Sequence, residues 1–238
     1  HGAAGGLHSF FSEQNFDKYK GCTVFSCSEY ENKSDEGNRI ILGDMSSSYP
    51  YVHFMNQHDF SDIHFMDDRN YKVGFMVGGI GPLTSTTGWH TMEQIIIDLS
   101  ANTDVAMVLK LHPRMTLYDL QLLGTFNNLL IVNRETDRSR VSKWANIVVC
   151  SDHCSTIFEP MILGKRVVAV EGRHIPKYKN NHSPLKNSSV SYISSDEGFD
   201  LENIPNADPE DPVMNTVAWG GNGKVDIGCL LLDKIIKN

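Results

Sequence analysis

The chain has 238 residues, of which 40% are hydrophobic and 21% are charged. This composition is typical of a globular domain and excludes a disordered chain, a collagen and a coiled coil. The net charge of -8 argues against a nucleic-acid-binding protein, which needs a basic face for the phosphate backbone. No apolar run approaches the roughly 20 residues that a membrane span requires.

Short β-branched segments alternate with helical patterns, which is typical of a parallel sheet wrapped by helices. The predicted strands are, in chain order, Cys22–Ser26, Arg39–Leu42, Lys72–Val77, Val105–Leu111, Leu129–Asn133, Asn146–Cys150 and Arg166–Val170. The predicted helices are Thr91–Ser100, Leu117–Phe126, Ser139–Ala145, Ser155–Leu163 and Val225–Lys237. Gly164 follows the fourth of these helices and is expected to cap its carboxyl end.

Two segments are predicted to be loops. Val77 to Gly88 is rich in glycine and hydroxyl residues, and Arg173 to Ser189 is a polar, mobile surface segment with two prolines. A domain boundary is predicted near residues 60–72, because the strand–helix alternation is regular after it and residues 1–60 form a less complete unit. The chain begins with His1 rather than Met, and we expect it to be a fragment of a longer protein.

The five cysteines are odd in number and scattered, which predicts a reducing compartment and makes a zinc ribbon improbable. No basic and apolar signal peptide is visible, so the expected location is the cytoplasm. The remaining histidines show no metal-binding spacing, and no metal site is predicted.

The most informative motif is Lys110-Leu111-His112-Pro113-Arg114, at the carboxyl end of a predicted strand. Ligands collect at that edge of open α/β sheets, so His112 and Arg114 are expected to point into the crevice. A histidine can donate a hydrogen bond to phosphate or act as an acid–base group, and arginine offers a planar fork for phosphate oxygens. A strand-end histidine that caps a loop explains the spacing equally well.

A second motif runs from Cys150 to Glu159, as a strand, a short polar turn and a helix that begins near Ser155. The free N–H groups of a helix start attract a diphosphate, and the hydroxyls of Ser155 and Thr156 can add donors. Glu159 lies one turn further and can reach a ribose. An ordinary helix cap gives the same pattern.

The third motif is the glycine-rich run Gly78-Gly79-Ile80-Gly81, which follows a predicted strand. It lacks the spacing of a dinucleotide fingerprint and the lysine of a P-loop. Its glycines would let backbone N–H groups approach a ligand, and a solvent loop is the alternative.

Taken in order, these motifs resemble those of the CDP-glycerol glycerophosphotransferase-like family of teichoic acid and surface polysaccharide assembly. The matching segments are His1-Gly2, Ser26 to Glu29, Ile40 to Gly43, Lys110 to Arg114, Ser151 to Glu159 and Gly164 to Val167. The resemblance implies an α/β, GT-B-like (Rossmann-like) open parallel sheet with helices on both faces. With the predicted boundary, it also implies that residues 1–65 are a remnant or linking part of the amino-terminal lobe and that residues 66–238 form the nucleotide-donor-binding, Rossmann-like domain.

The resemblance further implies the roles of individual residues. His1 is the expected general base toward the acceptor, and His112 is the second expected catalytic residue. The expected donor-binding residues are Arg114, Gly79, Ser151, Asp152, Ser155, Thr156 and Glu159. The chain departs from the family where Asp152-His153-Cys154-Ser155 replaces D-Y-S-S, and where the segment after Gly43 lacks the expected G-Y-P-R-x-D sequence.

The expected function is transfer of a glycerophosphate or glycosyl group from a nucleotide-diphosphate donor, CDP- or UDP-linked, to an acceptor hydroxyl. The expected partners are this donor and a polymer or lipid-linked acceptor, with peripheral contact at the inner membrane face. The donor is a substrate, and no cofactor is expected. Two alternatives are a UDP-GlcNAc 2-epimerase-like enzyme, disfavoured by the missing D-S-G-G turn, and a non-catalytic remnant that binds a nucleotide or partner.

Overall fold

The computed structural model describes residues 24–26, 39–41, 52, 54–55, 57, 63–77, 88–112, 120, 125–152, 154–171, 184–194 and 198–214. Strands β1 (Val24–Ser26) and β2 (Arg39–Ile41) pair in parallel as a small two-stranded sheet. Both strands fall within segments that the sequence predicts to be strands.

The remaining strands form one six-stranded sheet. They are β3 (Tyr71–Met76), β4 (Val105–Lys110), β5 (Leu129–Val132), β6 (Ile147–Ser151), β7 (Arg166–Val170) and β8 (Ser191–Ile193). Every neighbouring pair is parallel, and the order across the sheet is β5-β4-β3-β6-β7-β8. This order is that of a Rossmann-type sheet, in which the chain direction across the sheet reverses between β3 and β6. The predicted α/β fold class with an open parallel sheet is therefore confirmed.

Apolar side chains cover both faces of this sheet. On one face Phe75, Met107 and Val149 pack against helix α1 (Trp89–Ser100), whose buried side chains include Met92 and Ile96. The opposite face packs against two further helices. Strands buried on both sides must be apolar at nearly every position, which is why these segments read as continuous hydrophobic runs.

The second face carries helix α2 (Arg138–Trp144) and helix α3 (Phe158–Ile162). The Asp137 side chain caps α2 by accepting a hydrogen bond from the Ser139 backbone N–H at 2.8 Å. Helix α2 lies so close to β3 that a Cβ at Gly74 would stand 2.7 Å from Cγ1 of Val141. Glycine at position 74 is what permits this close packing.

Gly164 ends α3 as predicted. Its φ of 62° lies in the left-handed region, its N–H donates to the Met161 carbonyl at 2.9 Å, and the Lys165 N–H donates to the Pro160 carbonyl at 3.0 Å. These two bonds are those of a Schellman motif, which satisfies carbonyls left without partners at a helix end.

Of the predicted loop from 173 to 189, residues 173–183 lie outside the described residues, and the described part, 184–189, is not a simple surface loop. Residues Pro184–Asn187 form a 3₁₀ turn, and the Leu185 side chain is completely buried in the core. Strand β8 was not predicted. The predicted helix Val225–Lys237, the glycine-rich run 78–81 and most of Leu117–Phe126 lie outside the described residues. Within the described part of the chain, no helix has the length and apolarity needed to cross a membrane.

Candidate functional site

The carboxyl ends of all six strands lie at one edge of the sheet, because the strands are parallel. In open sheets of this kind, ligands bind outside this edge at the point where the strand order reverses, which here lies between β3 and β6. The segment that follows β4, the turn that follows β6 and the amino-terminal end of α2 all lie at this edge.

Lys110 ends β4, and the partly exposed His112 follows it. The Lys110 ammonium donates to the Leu111 carbonyl at 3.2 Å and to the Arg134 carbonyl at 3.5 Å, which ties this strand end to the segment after β5. Burial lowers the pKa of Lys110, and the Asp137 carboxylate at the start of α2 opposes this shift. Lys110 therefore interacts electrostatically with the amino-terminal cap of α2.

The turn after β6 begins at Ser151, which is almost fully buried, and leads into a 3₁₀ turn over Ser155–Ile157 that continues as α3. The Cys154 N–H donates to the Ser151 carbonyl at 2.9 Å, which closes the turn. The predicted helical start at Ser155 is confirmed, with the difference that its first turn is 3₁₀ rather than α-helical.

The Thr156 hydroxyl contacts two thiols. Its Oγ1 lies 2.9 Å from Sγ of Cys154 and donates to Sγ of Cys150 at 3.8 Å. Burial raises the pKa of the Cys150 thiol well above its ordinary value, so this group stays protonated. The hydroxyl that the sequence predicts as a phosphate donor is thus part of a hydroxyl–thiol cluster in this structure.

Glu159 lies inside the protein rather than on its surface, with only 1% of the residue exposed. Its carboxylate forms an ion pair of 2.9 Å with Nε of Arg138, the first residue of α2. Burial raises the pKa of Glu159, although the Arg138 guanidinium opposes the shift. Contact between Glu159 and a ribose, as predicted, would require this pair to rearrange.

Asp152 is completely buried. Its carboxylate accepts a hydrogen bond from the Tyr192 hydroxyl in β8 at 2.7 Å. Burial and the neighbouring carboxylate raise the pKa of Tyr192, so its hydroxyl remains a donor at neutral pH. The Lys186 ammonium lies 4.9 Å from the centre of the Tyr192 ring and 2.9 Å from the Glu171 carboxylate.

The structure brings together six of the predicted site residues at the carboxyl edge of the sheet. These residues are His112, Ser151, Asp152, Ser155, Thr156 and Glu159. Three of them, Ser151, Asp152 and Glu159, are buried, so their direct contact with a donor stays a prediction. His1, Gly79 and Arg114 lie outside the described residues.

Sequence reasoning missed four residues of this edge: Arg138, Glu171, Lys186 and Tyr192. Only Arg138 had a local signal, because it follows Asp137 at the start of a predicted helix. The others act on residues far along the chain, such as Asp152, which lies 40 positions before Tyr192. Within the described part of the chain, no group of three histidine, cysteine or carboxylate side chains is arranged to hold a metal.

The arrangement suits an anion better than a cation. The Lys110 ammonium at the end of β4 and the Arg138 guanidinium at the start of α2 lie at this edge, and His112 follows β4 two residues after Lys110. The carboxylates of Glu159 and Asp152 are buried and engaged by Arg138 and Tyr192. Cationic groups and hydrogen-bond donors in this position can bind phosphate oxygens and stabilise charge that develops on them.

No protein-family model matches the chain, and no curated protein matches it. Among solved structures, the glycotransferase of kitacinnamycin is 11% identical, with a TM-score of 0.45 over 76% of this chain and 43% of that one. MurG of Acinetobacter baumannii is 11% identical, with a TM-score of 0.40 over 73% of this chain and 47% of that one. A glycosyl transferase family 9 structure from Veillonella parvula DSM 2008 is 7% identical, with a TM-score of 0.39 over 88% of this chain and 57% of that one. The chain thus spans about half the length of these structures.

Proposed function

We propose that this chain is the nucleotide-donor-binding lobe of a GT-B-type transferase. It would move a glycosyl or glycerophosphate group from a nucleotide-diphosphate donor to an acceptor hydroxyl in the synthesis of a surface polysaccharide or teichoic-acid-like polymer. The observation that carries the proposal is the position of two motifs at one sheet edge. The Lys110–His112 strand end follows β4 and the turn from Ser151 to Thr156 follows β6, the two strands that flank β3 next to the point where the strand order reverses.

In the proposed reaction, the acceptor oxygen forms a bond to the transferred group while the bond to the leaving phosphate breaks. His1 would take the acceptor proton, as the family resemblance implies. His112 and Arg114 would stabilise the negative charge that develops on the leaving phosphate, and Lys110 would add a positive charge nearby. Glycosyl transfer releases a nucleoside diphosphate, whereas glycerophosphate transfer breaks the P–O–P bond and releases a nucleoside monophosphate.

Binding tests the proposal first. We expect isothermal titration calorimetry of the chain with CDP, UDP, GDP and ADP to show saturable binding of at least one of them. Cytidine and uridine, which lack the phosphates, are the matched controls and should bind far more weakly. If none of the four diphosphates binds at millimolar concentration, the donor-site proposal is wrong.

Turnover distinguishes the reaction classes. The full-length gene product is incubated with CDP-glycerol or UDP-GlcNAc and a polyol-phosphate or glycan acceptor, and the released nucleotide is separated by ion-exchange chromatography. Release of CMP indicates glycerophosphate transfer, and release of UDP with an extended acceptor indicates glycosyl transfer. An epimerised sugar, either free or still linked to UDP, without an extended acceptor favours the epimerase-like alternative. Binding without any product favours the non-catalytic alternative.

A further inference from the structure

Strand β8 is linked to the turn after β6 through one side-chain hydrogen bond. The Tyr192 hydroxyl donates to the Asp152 carboxylate at 2.7 Å, and the two residues are 40 positions apart in the chain. Asp152 is completely buried, so its carboxylate depends on donors inside the protein. A bond of this kind fixes the position of both partners.

Asp152 is also held through its backbone. Its N–H donates to the Val170 carbonyl at 2.9 Å, and the Cys154 N–H two residues later donates to the Ser151 carbonyl at 2.9 Å. Fixing the Asp152 side chain therefore restrains the turn that leads directly into Ser155 and Thr156. This turn is the part of the proposed donor site that would face the phosphates.

Tyr192 is itself held in place from the solvent side. The Lys186 ammonium lies 4.9 Å from the centre of its ring, a cation–π contact, and the same ammonium pairs with the Glu171 carboxylate at 2.9 Å. The Glu171 N–H donates to the Ile193 carbonyl next to Tyr192 at 2.8 Å. These contacts hold the ring beside Asp152, and the Glu171 carboxylate also lies near the Tyr192 hydroxyl.

We propose that Tyr192 is a positioning residue of the donor-binding turn, acting through the Asp152 carboxylate to hold the backbone from Ser151 to Thr156 in its phosphate-binding geometry. This inference rests on the proposed function, because it assigns β8 a role at the same site. Tyr192 does not need to touch the donor. Its effect reaches the ligand through the turn.

The test compares nucleoside diphosphate affinity in wild type and Tyr192→Phe, which removes only the hydroxyl. We expect Kd for the diphosphate that binds wild type best to rise about tenfold, since a hydrogen bond to a charged group is lost. Tyr71→Phe is the matched control. Tyr71 begins β3 at the opposite edge of the sheet, where the Arg166 guanidinium lies 5.9 Å from the centre of its ring. The Kd of the Tyr71→Phe variant should equal that of wild type.

A double-mutant cycle separates positioning from a general structural role. If Tyr192 acts through Asp152, the Kd change caused by Tyr192→Phe should disappear when Asp152 is already replaced by Ala. Equal and additive Kd changes in the two backgrounds would overturn the proposal. A loss of stability without a change in Kd would also overturn it.

Lys186→Met provides a second variant that does not depend on tolerance of Tyr192→Phe, because the Lys186 side chain is at the surface. It removes the cation from the ring, and we expect Kd to rise about threefold because the ring is then held less firmly beside Asp152. An unchanged Kd in this variant counts against the proposal. Absence of diphosphate binding by wild type overturns the proposed function itself, whereas normal wild-type binding with unchanged Kd in the variants overturns only the role of Tyr192.

Discussion

His112 follows the strand end that carries Lys110, in the partly exposed position that a phosphate-binding imidazole requires. We expect His112→Ala in the full-length enzyme to lower kcat/KM by roughly 10²–10⁴, the scale found for a positioned acid–base or charge-stabilising group. The thermal midpoint should change little, because the imidazole is outside the packed core. Steady-state kinetics and a thermal melt on the same preparation measure the two effects.

His64→Ala is the matched control for this substitution. The His64 side chain is 79% exposed and precedes β3, away from the carboxyl edge, and its ion pair with the exposed Asp67 is a surface contact, so its removal should leave kinetics unchanged and stability nearly unchanged. Near-normal turnover of His112→Ala would assign His112 to a structural role. A large loss of stability in the absence of ligand would have the same meaning.

The raised pKa of Glu159 predicts that the stability of the protein depends on pH. Because burial favours the protonated form in the folded state, the folded protein binds more protons than the unfolded chain at this residue. Its contribution to stability is therefore fully present below the ordinary glutamate pKa of about 4.3 and is lost as the pH rises through the raised folded value.

Glu159→Gln removes this titration and leaves a neutral side chain of similar shape. We expect the unfolding free energy of wild type, relative to that of Glu159→Gln, to fall as the pH rises from 4.5 to 7.5. Urea denaturation at several pH values measures the difference. A gap between the two proteins that stays constant, or that widens in favour of wild type at neutral pH, would show that the Arg138 ion pair outweighs burial.

For single residues, the sequence predicts the location of a site residue that belongs to a short local motif. It does not predict the contacts of that residue with segments far away in the chain. Lys110 and His112 lie within one short motif at a strand end, so a pattern of five residues is enough to locate them. The burial of Glu159 depends on Arg138, which comes 21 positions earlier on another helix. The sequence therefore identifies Glu159 as part of the site and leaves its surroundings open.

At the level of secondary structure, Gly164 offers a test of the cap of α3. A side chain at this position would have room, since the nearest atom to a Cβ is Cγ of Pro209 at 3.6 Å, but the backbone has a φ of 62°. The left-handed conformation costs an L-residue about 1–2 kcal/mol. Gly164→Ala also restricts the unfolded chain slightly, which offsets part of this cost.

We therefore expect Gly164→Ala to lower the unfolding free energy by about 1 kcal/mol, measured by chemical denaturation. Gly198→Ala is the control, because no atom lies within 4 Å of a Cβ at that position and its φ is outside the left-handed range. It should leave stability unchanged or raise it slightly. Equal losses in the two variants would contradict the assignment of a cap to Gly164.

The predicted elements agree with the structure where hydrophobic pattern decides the conformation. Strand β7 has the predicted bounds, and β3, β4, β5 and β6 differ from prediction by one residue at their ends. Strand β8 has only three residues and lies in a serine-rich segment, so its conformation depends on pairing with β7 rather than on its own sequence. The 3₁₀ turn at Pro184–Asn187 likewise depends on the burial of Leu185 in the core.

At the scale of the whole molecule, alternation of strand and helix patterns predicts parallel strands but does not determine their order. The order β5-β4-β3-β6-β7-β8 follows from which faces and ends pack together, which depends on contacts between distant segments. The division into residues 1–65 and 66–238 stays a prediction. Val52, from the first segment, is buried in the same core cluster as Met76 and Val148 of the large sheet.

Because the proposed site is assembled from several elements of the sheet, ligand binding should affect the stability of the whole molecule. A ligand that binds only the folded state stabilises it by RT ln(1 + [L]/Kd), which is about 2.7 kcal/mol at a ligand concentration 100 times Kd. The proposed site is assembled from β4, α2 and the turn after β6, and an unfolded chain lacks this arrangement. A bound nucleoside diphosphate should therefore protect the entire domain against unfolding rather than one segment of it.

We expect the thermal midpoint to rise steadily with the concentration of the preferred diphosphate, and the gain in unfolding free energy to follow the Kd measured independently by calorimetry. The net charge of -8 opposes a nonspecific attraction of anions, so pyrophosphate alone should stabilise the protein less than the complete nucleotide. Thermal melts over a concentration series of CDP, UDP, GDP, ADP and pyrophosphate measure both effects. Equal stabilisation by pyrophosphate and by every nucleotide would indicate a general anion effect, and no stabilisation at millimolar concentration would exclude a donor site at the sheet edge.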